Sequence, residues 1–231
     1  MPTKKTKNHQ PVLLEEVLHT LNPKKGETYL DVTAGYGGHA KEILATTQAH
    51  AVLVDRDEEA IATLRELFPS KDVSLVHADF LAASKKLLAE KKSFDLILAD
   101  IGLSSPHLDK ASRGFSIQHD GPLDMRMDQR QDLTAETIVN TTSMQELTRI
   151  LKEYGEEPKA RRIAQLIVDA RPVATTKELA QIVSTAWTGY SRVHSATRTF
   201  QVICIVFNEE LEQVAKSLPI WEKLLNPGGR L

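Results

Sequence analysis

From Thr28 to Asp100 short apolar runs alternate with stretches of helical periodicity, and this alternation leaves few folds open to the chain. Thr28–Thr33, Ala51–Val54, Val73–Val76 and Phe94–Ala99 read as strands. Between them, His39–Thr46 and Ala82–Glu90 read as helices, as does a segment capped by Asp57 with Ile61, Leu64 and Leu67 on one face. Strands joined through single helices are βαβ units, whose right-handed crossovers give a parallel sheet covered on both faces. The expected fold class is therefore α/β with a Rossmann-like sheet, and ligands of such sheets bind beyond the carboxyl ends of the strands.

The flanks read differently. Val12, Leu13, Val17, Leu18 and Leu21 recur at helical spacing before Pro23, which gives an opening helix. After Pro106 and up to about Tyr190 helices continue without a clear strand, with capping-box patterns at Ser143/Glu146 and Thr175/Glu178. This part reads as a mainly helical insertion for substrate recognition. The expected division is residues 1–110 for the first part of the cofactor domain, 111–192 for the insertion, and 193–231 for the return to the first domain. The run Val202–Phe207 is open between strand and helix, and Pro227-Gly228-Gly229 reads as a turn leading into a strand that begins only as the chain stops.

Composition narrows the function classes. A chain of 231 residues with 41% hydrophobic residues can bury a core. It has no run near the roughly 20 apolar residues that span a bilayer and no apolar signal core, so no membrane association and a cytoplasmic location are expected. The single cysteine, Cys204, rules out an internal disulfide and a multi-cysteine zinc site, and no metal is expected. A formal charge of −2 argues against a general polyanion binder but leaves room for local cationic groups. Candidates are Lys4, Lys5 and Lys7, Arg161 with Arg162, and Arg192 with His194 and Arg198.

The segment Asp31-Val32-Thr33-Ala34-Gly35-Tyr36-Gly37-Gly38-His39-Ala40 follows a strand and opens a helix, the context a nucleotide-binding glycine loop requires. Asp55 ends the second strand, where a carboxylate accepts hydrogen bonds from ribose hydroxyls. Gly35, Gly37 and Ala40 also fit the dinucleotide form, so a nicotinamide-dependent oxidoreductase stays open. Two further acids favour a methyl donor instead: Asp31, placed to face the amino group of a methionine moiety, and Asp100, at the end of the fourth strand beside the expected methyl group. Asp79 and Phe80 offer a carboxylate and an aromatic face for an adenine ring, although Phe80 taken alone reads as a core aromatic.

The segments His9-Gln10-Pro11-Val12-Leu13-Leu14, Gly35-Tyr36-Gly37-Gly38-His39, Asp55-Arg56-Asp57, Asp100-Ile101-Gly102-Leu103-Ser104-Ser105-Pro106, Arg113-Gly114-Phe115-Ser116, Asp120-Gly121-Pro122-Leu123-Asp124-Met125-Arg126-Met127-Asp128 and Ala196-Thr197-Arg198-Thr199-Phe200-Gln201 resemble the bacterial ribosomal RNA small-subunit methyltransferase H family, in the family's order. The resemblance implies methyl transfer from S-adenosyl-L-methionine to N4 of a cytidine at the decoding centre of 16S ribosomal RNA, in the assembled small subunit. It implies cofactor contacts at Gly37, Gly38, His39, Asp55, Phe80 and Asp100. His107 stands where the family has a glutamine contact, Ser195 where it has proline and Cys204 where it usually has arginine.

Cytosine's exocyclic amine is a poor nucleophile because its lone pair is delocalised into the ring. Asp100 is the candidate catalytic residue, an acceptor that holds the amine in line with the sulfonium methyl. Ser104 and Ser105 either seat the base or cap the next helix, and Arg198 is a candidate substrate contact. A base stacked in folded RNA has to be splayed out, which gives the insertion a role in gripping the strand. The family continues past Leu231 with further strands, so a shortened chain is expected to expose a sheet edge and to be marginally stable or to pair as a homodimer. The alternatives are a noncatalytic RNA- or ribosome-binding relic of the family and an NAD-type Rossmann oxidoreductase.

Overall fold

The computed structural model describes residues 11–188 and 194–231; Lys4, Lys5, Lys7, His9, Gln10 and Arg192, named above, lie outside them. The chain divides into two units. One takes in the described residues up to Gly102 together with Gln213–Leu231, and the other is Leu103–Glu212.

The first unit is the α/β sheet. Its elements run α1 (Leu14–Leu21), β1 (Tyr29–Asp31), α2 (Gly38–Thr47), β2 (Ala51–Asp55), α3 (Glu58–Leu67), β3 (Val73–His77), α4 (Phe80–Ala89) and β4 (Phe94–Leu98). β1, buried along its whole length, pairs in parallel with β2 on one side and β4 on the other. With β5 (Leu225–Arg230) at its far edge, the strand order is β3-β2-β1-β4-β5, so the direction of winding reverses between β1 and β4. A crevice opens at the carboxyl ends of strands at such a point.

Two apolar layers cover the sheet. Leu30, Val52, Val54 and Ile97 pack with Phe80, Ala83 and Leu87 of α4 on one face. Tyr29, Ala51, Leu53 and Leu96 pack with Ala40 and Ile43 of α2 and Ile61 and Leu64 of α3 on the other. Adjacent residues of β1 and β2 fall in opposite layers, as the two-residue period of a strand requires. Asp57 and Asp79 cap α3 and α4 by accepting from Glu59 N at 3.0 Å and from Ala82 N at 2.7 Å.

The second unit is helical: α5 (Ser105–Asp109), a 3-10 turn at Ala111–Arg113, α6 (Ala135–Thr141), α7 (Met144–Glu153), α8 (Ala160–Asp169), α9 (Thr176–Ser184) and α10 (Thr197–Phe207). Its core joins Leu147, Ile150, Ile163, Ile167, Leu179 and Val183 of the helices to Leu123, Met125 and Met127. The Asp120–Asp128 motif is thus built into this core. Its apolar members alternate inward, while Asp124 forms a two-bond pair with Arg126 at 2.9 and 2.8 Å and Asp128 one with Arg130 at 2.8 and 2.7 Å. Burial raises the Asp124 pKa, yet the Arg126 hydrogen bonds and charge outweigh it and hold the carboxyl below its ordinary value. Thr175 and Glu178 form the full capping box. At Ser143 only half of it forms, because the Glu146 carboxylate turns to Arg149 at 2.6 and 2.9 Å instead of reaching back to the cap.

The run Val202–Phe207, open between strand and helix in the sequence, is part of helix α10, and the helical unit extends to Glu212 where the sequence placed its end at residue 192. The reason is packing: Phe200, Val202, Ile203 and Cys204 lie in the core with residues of α6 and α7, which a strand at that place could not supply. Nor is the strand before Leu231 only beginning. After α11 (Glu210–Leu224), residues Leu225–Arg230 form β5, parallel to β4. The Pro227-Gly228-Gly229 signal is absorbed as an irregularity, since Leu225 pairs Phe94 while Arg230 already pairs Leu96. Asn226 bonds Asp95 at 2.8 Å, and Arg230 bonds Glu27 at 2.6 Å and the Leu21 carbonyl at 2.6 Å, which pins both ends of this strand.

Candidate active site

β1 ends at Asp31, and the chain then turns through Gly35, Gly37 and Gly38 into α2. Gly37 has φ +79°, a left-handed conformation, and a Cβ there would lie 2.9 Å from the Phe68 ring; a Cβ on Gly38 would lie 2.6 Å from the Pro11 ring. Close packing of the loop against α3 and the entry to α1 therefore requires glycine at both positions.

Asp55, at the end of β2, reaches under this loop. Its Oδ2 accepts from Gly35 N at 2.7 Å and its Oδ1 from Asp57 N at 2.8 Å, and the side chain remains half-buried at the strand end. The acid thus shapes the loop as well as standing where a ribose is expected.

Asp31 does not face outward as the sequence suggested. It is buried, accepting from the Tyr29 hydroxyl at 2.7 Å and from Thr33 N at 3.1 Å. Burial pushes its pKa up to about 6, against the lowering effects of the Tyr29 and Thr33 bonds and the His39 charge. Tyr29 in turn is raised well above its ordinary value, first by burial and then by the Asp31 charge. Tyr29 and Asp31 are two residues apart on one strand face, so their spacing in the sequence already permits the pairing.

On the other side of the winding reversal, β4 delivers Asp100. Its carboxylate is 53% exposed and stands 3.6 Å from His39 Nε2, an ion-pair distance too long for a hydrogen bond. Its backbone N–H donates to Thr33 Oγ1 at 2.7 Å, tying the end of β4 to the end of β1. Thr33 was not singled out from the sequence, because its role depends on a strand distant along the chain. His39 is buried, and its Nδ1 has no hydrogen-bond partner among the described residues. A buried ring nitrogen left open at the start of α2, beside the glycine loop, fits a site made for a polar group of a ligand.

Phe80 takes the core position that the residue by itself suggested. Its ring is buried and packs on Trp221 at 5.7 Å between centroids, while Trp221 Nε1 donates to Ser84 Oγ at 2.8 Å. Phe80 is also the first residue of α4, at the carboxyl end of β3. Asp79 caps that helix.

The structure gathers Gly37, Gly38, His39, Asp55 and Asp100 at one end of the sheet unit. Ser104, His107 and Arg198 belong to the helical unit. His107 is buried there, its ring 5.0 Å from that of Phe115 and its Nδ1 3.0 Å from Ser104 Oγ. That contact takes up the Ser104 hydroxyl, which makes no capping bond to α5. The side chain of Ser105 lies outside the described residues. Arg198 donates to the Glu156 carbonyl at 2.8 Å.

A parallel sheet wound in both directions, with a glycine loop after β1 and acids at the ends of β2 and β4, defines a Rossmann-like cofactor-binding domain, and the family match places it in the methyltransferase class. The family model described as the MraW methylase family matches residues 6–231, and the chain belongs to that family. Among its relatives, the ribosomal RNA small subunit methyltransferase H of Acidobacterium capsulatum is 43% identical, over 96% of this chain and 79% of that one. The protein of the same name from Syntrophotalea carbinolica is 45% identical over 99% of this chain and 76% of that one. A solved structure with a loose likeness is mycolic acid cyclopropane synthase CmaA1, 14% identical over 91% of this chain and 78% of that one, with a TM-score of 0.34. No helix among the described residues is long and apolar enough to cross a membrane.

Proposed function

We propose that this protein is a ribosomal RNA methyltransferase that moves a methyl group from S-adenosyl-L-methionine to N4 of a cytidine in the decoding centre of 16S ribosomal RNA, with the assembled small subunit as substrate. The observation that carries the reading is the exposed Asp100 carboxylate at the end of β4, tied through Thr33 to the glycine loop, in a chain whose relatives are named small-subunit ribosomal RNA methyltransferases.

S-adenosyl-L-methionine, when bound, supplies an electrophilic methyl on a sulfonium. The remaining work falls to the chain. Gly37 and Gly38 keep the loop close to the sheet, Asp55 accepts hydrogen bonds from ribose hydroxyls, and His39 Nδ1 offers a hydrogen bond to the cofactor. Asp100 accepts a hydrogen bond from the target amine, turns its nitrogen toward the methyl, and takes up the proton the amine loses. His39 Nε2 stands 3.6 Å from that carboxylate.

The test is transfer of labelled methyl to small subunits that lack the modification, followed by nucleoside analysis of the RNA. N4-methylcytidine is the expected product, and label on another atom refutes the assignment. Asp100→Asn keeps the shape but weakens the acceptor, so turnover is expected to fall about 100-fold or more while affinity for S-adenosylhomocysteine changes less than about threefold. Equal losses in both would make Asp100 a binding residue only.

A further inference from the structure

The helical unit carries a cavity of about 500 Å³ lined by Met144, Pro158, Lys159, Arg161, Arg162 and Gln165. Three of these six side chains are cationic and none is acidic. We propose that this cavity, at the start of α8, grips the sugar-phosphate backbone of the small-subunit ribosomal RNA, an inference that rests on the ribosomal RNA reading given above.

What separates Arg161 and Arg162 from ordinary surface charge is that every other described arginine of the unit is already committed. Arg126 is held by Asp124, Arg130 by Asp128, and Arg149 by Glu146 and Glu153. Arg113, Arg171 and Arg198 donate to backbone carbonyls. Arg161 and Arg162 are exposed and make no hydrogen bond or ion pair among the described residues. Their ten donor N–H groups are therefore open toward the cavity, in a geometry suited to two-bond contacts with phosphate oxygens.

Their position sharpens the point. α6, α7 and α9 each carry an acid in the first turn, but α8 carries none there and instead places Arg161 and Arg162 at its positive end. Cations at a helix N-terminus are unfavourable until an anion arrives. The neighbouring acid, Glu157, is turned inward: it is buried, its Oε1 accepts from the backbone N–H of Lys159 at 3.0 Å, and it forms no ion pair with either arginine. Lys159 is anchored by donating to the Ala186 carbonyl at 2.8 Å, with its ammonium 4.3 Å from the centre of the Trp187 ring, so it adds a fixed positive wall. An open, cation-lined hollow with an unrelieved repulsion of its own matches a chain of phosphates; an acidic protein surface is the competing occupant.

The experiment measures binding of unmodified small subunits to the full chain across a series of salt concentrations, and separately the methyl-transfer KM and S-adenosylhomocysteine affinity. For the double variant Arg161→Ala/Arg162→Ala, subunit affinity is expected to drop about tenfold or more, with the slope of log affinity against log salt reduced by about 2. The loss should appear in KM for subunits, with S-adenosylhomocysteine affinity within about twofold of the parent, which also shows that the variant is folded. Arg161→Lys/Arg162→Lys is expected to restore most of the salt slope, whereas Arg149→Ala, on a residue already paired, should change it by less than half as much. An unchanged slope and KM in the double alanine variant would overturn the proposal, as would an equal effect from Arg149→Ala, which would point to a diffuse field. Because binding is read without turnover, subunits that bind with the expected slope but gain no methyl group would count against the methyl-transfer reading alone.

Discussion

Asp55→Ala tests the joint between loop shape and cofactor binding. The wild-type carboxylate accepts two short backbone hydrogen bonds, from Gly35 at 2.7 Å and from Asp57 at 2.8 Å. Removing it leaves both donors without that acceptor, and at about 1.5 kcal/mol for each bond to a charged, half-buried group the fold should lose about 3 kcal/mol. For a chain of this size that corresponds to a fall in Tm of about 6 to 12 °C. Loss of the ribose acceptor should separately weaken S-adenosylhomocysteine binding by about 1 to 3 kcal/mol, roughly 5- to 150-fold. Asp55→Asn retains one acceptor oxygen but turns an amide toward the second donor, so its effects should fall between the two. Thermal melting and isothermal titration on the three proteins decide the matter. A melting temperature within about 1 °C of the parent would refute the bracing role, and unchanged affinity would refute the ribose role even if the loop were loosened.

Two further outcomes follow from the same unit. Asp31 is held near pKa 6 by burial against an ordinary value of 3.8, so folding favours its protonated form. That contribution is fully present below 3.8 and is lost as pH rises through about 6; denaturant titrations should show the parent losing on the order of 3 kcal/mol relative to Asp31→Asn between about pH 4 and pH 8, and parallel curves would contradict the burial argument. Trp221 is 2% exposed and holds both the Phe80 ring and the Ser84 hydroxyl. Trp221→Ala should cost about 3 to 5 kcal/mol in denaturant unfolding and Trp221→Phe about 1 to 2 kcal/mol, while a loss under about 1 kcal/mol for the alanine variant would mean that the α4 to α11 contact is not part of the core.

The local signals in the sequence were sufficient for the sheet and for which of its ends gathers the glycine loop and the acids. Apolar periodicity and caps such as Asp57 act over a few residues, and parallel βαβ winding then brings the loop after β1 and the acids Asp55 and Asp100 to the same end of the sheet. Three features depended on partners far along the chain, and no local pattern specifies those. Val202–Phe207 became helix because its apolar side chains meet α6 and α7, which overrides the strand preference of its β-branched residues. The Phe80 ring went to the core because Trp221 stands against it from α11. Pro227-Gly228-Gly229 could be taken into a strand because β4 offers an edge and Asp95 and Glu27 hold Asn226 and Arg230 in place. The direction of Asp31 was also settled only in the fold: strand geometry allowed it to pair with Tyr29, and once the sheet buries both groups each needs the other as a hydrogen-bond partner.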